Sequence, residues 1–445
     1  MNDFDYLNHN DIYVDAACQS LRPRPVIDAL KSYYETHNSC GERAKYPWGV
    51  RTDEKVEATR RKVLKYLSLK SKDYFVSFTL NTTYGLNLIL QQLDVEKLGI
   101  KHIITSDLEH NSPFLSTMTF AERHHLPRIV IPRNPDGTLP LSSNEIKAPY
   151  LDAASLDFSD NSSGQPTFDA SLFDHAVVIV NCAANFDGRK LLNLKNVVKT
   201  IHQYHGLLIL DAAQAMAHSS DILQKTEADA ICFSAHKMYA PSLGGMIVRR
   251  DLLSFIKTNF VGGGMVDDVF KDHFLLSSEN PDHAYTKFEA GLQAWGEIEA
   301  LGAALDWLED IKKGRKNVDG EKYTEVLESN SKRLFDFLSN NPKIHLLNSE
   351  VAAAESDLPR KTGIFSKETK LSQPNPTMSF YVDGLDSHLL GAALAGEGIM
   401  ARTGYFCVHD YLDHVRHYPP LIRFSLGYHN TSESINKLLK SLENL

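Results

Sequence analysis

Two short apolar runs in the middle of the chain end on residues that can do chemistry. Leu207-Leu208-Ile209-Leu210 ends on Asp211, with Gln214 three residues later; Ala230-Ile231-Cys232-Phe233 ends on Ser234, with His236 and Lys237 just beyond. Unbroken apolar runs of this length read as buried parallel strands. In an open α/β sheet the loops that follow such strands line the ligand crevice. An acid, an amide, a hydroxyl, an imidazole and an amine therefore converge on one sheet edge. That set suits pyridoxal phosphate. Lys237 can form the Schiff base that stores the cofactor, and Asp211 can keep the pyridine nitrogen protonated so that the ring accepts electrons. Gln214 can donate to the ring oxygen, while Ser234 and His236 can hold the phosphate. Asp211 and Lys237 alone would read as ordinary solvated groups at strand ends. The order D-x-x-Q, then S-x-H-K after a second apolar run, then Gly244-Gly245, is what narrows the chemistry.

On these residues the sequence resembles the class V aminotransferase family, fold type I, and within it the cysteine desulfurases and selenocysteine lyases. The resemblance runs from about residue 11 to the end of the chain. It implies further roles. Asn81-Thr82-Thr83-Tyr84-Gly85 follows an apolar run and opens a helical pattern, and the family has a matching T-T pair on the cofactor phosphate. The residues themselves allow that role, as hydroxyls and first-turn N–H groups form an anion site; simple N-capping by Thr82 is the alternative. The pair Glu109-His110 matches one whose imidazole stacks on the cofactor ring, where His110 can shuttle protons. Asn185 matches an asparagine near the ring oxygen and the substrate carboxylate. The element Asp11-Ile12-Tyr13-Val14-Asp15-Ala16-Ala17 matches one at the family's active-site mouth, and Asp15 reads equally as part of a pinned terminal strand.

The reaction the resemblance implies turns on Ala401-Arg402-Thr403-Gly404-Tyr405-Phe406-Cys407. Desulfurases have R-x-G-x-x-C at this spacing, and the cysteine attacks the substrate's sulfur. Gly404 lets the loop bend, and Arg402 is expected to favour the Cys407 thiolate and to help bind substrate. Arg423, inside Leu421-Ile422-Arg423-Phe424-Ser425, matches an arginine that holds the substrate carboxylate, for which its planar fork is suited. The expected function is removal of sulfur from L-cysteine, leaving alanine and a persulfide on Cys407, with Lys237, Cys407 and His110 as catalytic groups. The alternative is another class V enzyme on the same cofactor, whether aminotransferase, epimerase, selenocysteine lyase or C–S lyase, with Cys407 non-catalytic. Two positions depart from the family pattern. Tyr405-Phe406 stand where two histidines or another polar pair are usual, and Leu292 follows Phe288-Glu289-Ala290-Gly291 where a hydroxyl usually reaches the partner subunit's phosphate. The resemblance also implies a homodimer, completed near Gly262-Gly263-Gly264, and leaves room for a sulfur-acceptor protein. Cys18, Cys40, Cys182 and Cys232 read as small buried apolar residues.

These side chains need a scaffold. Strands alternating with helical runs from residue 74 to 250 call for a large, doubly wound, mostly parallel sheet, with a smaller α+β domain at the C-terminus. The expected division is an N-terminal segment over 1–20, a cofactor domain over 21–290 and a small domain over 291–445. A helix is expected over about 196–204, and a long helical stretch with solvated charged faces over about 295–338. Residues 139–172 read as a loose surface insertion and 350–376 as a polar connection, while Arg43 and Arg51 read as surface charges.

Composition agrees with an ordinary globular enzyme: 445 residues, 42% hydrophobic and 23% charged. A formal charge of -9 argues against nucleic acid as a main partner. No apolar run approaches the roughly 20 residues of a membrane span, and the acidic, polar N-terminus is not a secretory signal. Five scattered cysteines suit the reducing cytoplasm rather than a disulfide framework. No metal site is expected.

Overall fold

The computed structural model describes residues 2–8, 10–42, 44–142, 150–151, 170–277, 281–347 and 375–443. Arg43, most of the expected insertion and nearly all of the polar connection lie outside the described residues. The chain divides into two compact units, residues 25–183 with 190–306, and residues 1–24 with 184–189 and 307–445. A two-residue strand, β1 (Ile12–Tyr13), belongs to the second of these.

The larger unit is built on β2 (Tyr74–Thr79), β3 (His102–Ser106), β4 (Arg128–Ile131), β5 (Tyr150–Leu151), β6 (Ala176–Asn181), β7 (Leu207–Asp211), β8 (Ala230–Ser234) and β9 (Gly244–Arg249). They form one sheet in the order β2-β9-β8-β7-β6-β3-β4-β5. Neighbours from β4 through β8 pair in parallel, whereas β9 is antiparallel to β2 and β8, and β5 to β4. Every residue of β2, β6 and β8 is buried. That explains the unbroken apolar runs: strands covered on both faces have no solvent side to alternate with. The crossover helix Leu194–Gln203, two residues ahead of its expected start, buries Leu194, Val197, Val198 and Ile201, the stripe that helical periodicity prescribes. Beyond the sheet, β10 (Val266–Val269) and β11 (Phe274–Leu276) form an antiparallel hairpin.

The stretch 295–338 is two helices, Trp295–Lys312 and Tyr323–Asn340. Gly314, at φ +93°, sits just past the end of the first, in the left-handed conformation typical of a helix stop. Trp295, Ile298, Leu301, Leu305, Leu308 and Ile311 of the first helix are buried, while its charged residues Asp306, Asp310 and Lys312 are exposed.

The smaller unit contains β12 (Ile344–Leu346), β13 (Thr377–Val382), β14 (Ile399–Met400), β15 (Arg402–Gly404) and β16 (Leu421–Ser425). An antiparallel sheet runs β12-β13-β16-β15, and β1 lies parallel to β14. Asp386 caps the helix Ser387–Gly396 by accepting from the amides of His388 and Leu389. Ile435, Leu438 and Leu442 of the last helix, Ser432–Leu442, pack with Leu334, Leu338, Phe380 and Phe424 in this unit's own core. The chain's first residues thus belong structurally with its last.

Candidate active site

In the larger unit, β7 and β8 end on Asp211 and Ser234, and the helix Thr82–Gln92 begins beside them. Asn81, not Thr82, is the N-cap: its side chain accepts from the Tyr84 amide at 2.9 Å. Thr82 is thereby free for another partner. Its amide donates to Ser234 Oγ at 3.0 Å, and its own Oγ1 lies 2.7 Å from the same oxygen. Thr83, exposed in the helix's first turn, is at a position whose N–H has no intrahelical acceptor. Gly244 explains how a strand can lie so close: a Cβ there would come within 2.4 Å of Asn81 Cα.

His110 caps the helix Asn111–His124, with Nδ1 accepting from the Ser112 amide at 3.0 Å. That bond assigns the neutral ring's proton to Nε2. Ser112 Oγ links Nδ1 to Thr83 Oγ1, so imidazole and helix start form one hydrogen-bonded string. Sequence reasoning missed Ser112, although its place two residues after His110 is a common capping offset.

Two of this unit's buried carboxyls are Asp211 and Glu109. Asp211 accepts from the Ala213 amide at 2.9 Å. Burial raises its proton affinity above the ordinary aspartate value, while that amide and the charge of Lys237 pull it back. Glu109 bonds Ser106 Oγ and accepts from the Asn181 amide at 2.7 Å. Burial, opposed by Arg133 and assisted by the charge of Asp211, pushes it up to about 8. Gln214 heads the short helix Ala215–His218, and His236 and Lys237 sit half-buried in the turn Ala235–Lys237 that follows β8.

The other predicted residues belong to the smaller unit. Arg423, on β16 and 1% exposed, donates from Nη2 to Asp15 Oδ1 at 2.9 Å and from Nη1 to the Asn185 carbonyl at 2.8 Å. Its Nε is buried with no acceptor among the described residues. Asn185 Nδ2 donates to the Phe406 carbonyl at 2.6 Å, and the Phe406 ring centroid lies 4.9 Å from the Arg423 guanidinium carbon. Arg402 bonds Asp15 Oδ2 and the Cys18 sulfur, so its guanidinium is engaged there rather than with the Cys407 thiol it was expected to activate. Cys182 and Cys232 are buried as expected, but Cys40 is exposed and Cys18 only partly covered, so these two are not core residues.

Cys407 itself is exposed. The Val408 amide donates to the Tyr405 carbonyl at 2.8 Å, closing a turn whose central residues are Phe406 (φ +49°) and Cys407 (φ +59°). Left-handed backbone costs a residue with a Cβ about 1–2 kcal/mol. Leu292 is 77% exposed, and Gln293 Nε2 donates to the Gly291 carbonyl.

The family model for class-V aminotransferases matches residues 12–169, 167–358 and 351–438, together almost the whole chain. The chain belongs to that family. It is 27% identical to a probable cysteine desulfurase of Synechocystis sp., over 99% of this chain and 93% of that one. Its fold is similar to that of a cysteine desulfurase from Thermococcus onnurineus, with a TM-score of 0.75 at 22% identity, covering 98% and 94% of the two chains. The cysteine desulfurase CsdA of Escherichia coli, in its S-sulfonic acid form, gives 0.75 at 20% identity, covering 99% and 96%.

This class-V aminotransferase relative is a pyridoxal-phosphate enzyme of fold type I, and the larger unit fits that cofactor. The helix start at Thr82 and Thr83, with the hydroxyls of Thr82 and Ser234, suits a phosphate. A buried carboxyl whose proton affinity is raised, as at Asp211, is a carboxyl short of positive charge, which a protonated ring nitrogen supplies.

Proposed function

We propose that the chain is a cysteine desulfurase, taking sulfur from L-cysteine and leaving L-alanine. The observation that carries this reading is the presentation of Cys407. It is exposed, in a turn that disfavours its residue types, and the turn is tied to a buried arginine that retains an unmet N–H. The names of the relatives agree with it.

Pyridoxal phosphate, when bound, supplies an electron-accepting ring on the substrate's amino nitrogen. Thr82, Thr83, Ser234 and His236 would hold its phosphate, Asp211 would keep its ring nitrogen protonated, and Gln214 would steady its ring oxygen. His110 presents Nε2–H to the ring face. The Lys237 amine would take the proton from Cα and return it there once the sulfur has left. Arg423 receives the substrate carboxylate on Nε, with Asn185 and Asp15 fixing the guanidinium from the other side and Arg402 steadying Asp15. The Cys407 thiolate attacks the substrate sulfur. An S–S bond forms, the Cβ–S bond breaks, and its electron pair remains on Cβ, where a proton completes the methyl of alanine. Cys407 is left as the persulfide, which passes its outer sulfur to a thiol acceptor, small or protein-borne.

The proposal extends to assembly and location. Val269, Phe270, Phe274 and Leu275 of the β10–β11 hairpin are exposed and apolar, which supports a homodimer interface on the larger unit. No helix among the described residues is long and apolar enough to cross a membrane. Five free cysteines favour the reducing cytoplasm.

The test is a single turnover with L-cysteine. Equal amounts of alanine and protein-bound sulfur, the latter on the peptide containing Cys407, support the reading. Keto acid in place of alanine, or sulfide release with no sulfur on Cys407, points to a transaminase or a C–S lyase on the same cofactor site. Light scattering that shows a fully active monomer would refute the dimer.

A further inference from the structure

A turn with both central residues at positive φ is the province of Asn-Gly and Gly-Gly. Phe406 and Cys407 are poor choices for it, so something other than backbone preference keeps the turn in place. The contacts converge on Phe406. Its carbonyl accepts from Asn185 Nδ2 at 2.6 Å, and its ring lies 4.9 Å from the guanidinium carbon of Arg423. Arg423 Nη1 donates in turn to the Asn185 carbonyl at 2.8 Å, so three residues close a ring of interactions. Phe406 is 7% exposed and Arg423 1%, so the stacking is shielded from water, where a cation over an aromatic face counts for more. Arg423 Nε, the buried donor without an acceptor, belongs to the same ring.

We propose that Phe406 is a positioning residue: its stacking on Arg423 couples carboxylate occupancy of the guanidinium to the seating of the adjacent Cys407. A carboxylate on Nε fixes the guanidinium plane. The stacked ring is then fixed with it, and the residue that follows that ring in the chain is the nucleophile. Coupling of this kind is reciprocal, so the seated turn also favours the bound carboxylate. The enzyme thereby favours α-amino acids over thiols that lack a carboxylate. The inference rests on the reading of Arg423 as carboxylate holder and Cys407 as nucleophile.

The experiment uses the holoenzyme and L-alanine, which carries the carboxylate but no sulfur. Alkylation of Cys407 by iodoacetamide is timed with and without saturating L-alanine, whose binding is followed by cofactor absorption. In wild type, L-alanine should slow alkylation by roughly threefold or more, a modest coupling by the usual scale. Phe406→Leu should still bind L-alanine but lose most of that protection, and Phe406→Tyr, which keeps an aromatic face, should retain it. Phe406→Leu should also lose about tenfold in kcat for sulfide release, with KM changed much less, as expected for a misplaced nucleophile. Equal protection in wild type and Phe406→Leu would mean that L-alanine merely shields the thiol, and would overturn the proposal. So would an absence of protection in wild type. Retained sulfide release by Cys407→Ser would instead fault the underlying reading and leave the measured coupling standing.

Discussion

Ser234 Oγ meets Thr82 twice, as acceptor for its amide at 3.0 Å and as neighbour of its hydroxyl at 2.7 Å. A strand end and a helix start 152 residues apart in the chain are thus locked together. The hydroxyls and the helix's first turn are thus held as one preformed set, which the proposed function assigns to the cofactor phosphate. Ser234→Ala should weaken cofactor binding by about tenfold, or ~1.4 kcal/mol. Titration of the apoprotein with pyridoxal phosphate measures this, and circular dichroism checks that the fold is intact. Unchanged affinity would show that the phosphate lies elsewhere.

Lys237 is half-buried in the turn after β8, and its charge reaches Asp211. Borohydride reduction of the holoenzyme should fix the cofactor on the peptide containing Lys237. Lys237→Ala should abolish turnover and leave the melting temperature nearly unchanged, because this side chain is not part of the hydrophobic core. An adduct mapped to a different lysine would refute the assignment.

The proposed cofactor residues were legible because each stands where an apolar run stops, and a strand buried on both faces announces its own end. Asp211, Ser234 and Lys237 are of this kind. Glu109 could not be read in the same way: its raised proton affinity comes from burial and the charge of Asp211, against the opposing pull of Arg133, none of which sequence spacing encodes. Asp15 and Arg402 meet across 387 residues, a pairing invisible to any local pattern. The Cys407 loop was legible as a motif but not as a turn, because Phe-Cys is not a turn sequence. Only the surrounding contacts with Asn185 and Arg423 explain its shape. The hairpin of β10 and β11 was missed because its aromatic residues are exposed and carry no core-facing alternation.

Glu109 makes stability depend on pH. An ordinary glutamate loses its proton near 4.5, whereas burial raises Glu109 to about 8. The folded state therefore keeps a proton that the unfolded chain releases. The contribution is fully present below pH 4.5, declines above it, and is gone once the pH passes about 8. Glu109→Gln stays neutral throughout, and its amide can serve the same Ser106 hydroxyl and Asn181 amide. Unfolding free energies from denaturant titrations across this window should fall less steeply for the variant, by on the order of a few kcal/mol in total. Parallel curves for the two proteins would show that Glu109 is already ionised when folded.

Cys407→Ser separates the desulfurase from other enzymes built on this cofactor site. The substitution removes one sulfur and leaves Lys237, Asp211 and the Arg423 cluster intact. L-Cysteine should still bind, shifting the cofactor's absorption as it does in wild type. Sulfide release should fall by at least roughly a hundredfold, because a serine hydroxyl at neutral pH is a far weaker nucleophile than a thiolate. The turn should survive, since serine meets the same left-handed backbone demand as cysteine and Phe406 keeps its hold on Asn185 and Arg423. Wild type stopped after one turnover should carry a single added sulfur on Cys407, and the variant none. A serine variant that still releases sulfide from cysteine at the wild-type rate would make Cys407 a bystander and the enzyme a lyase.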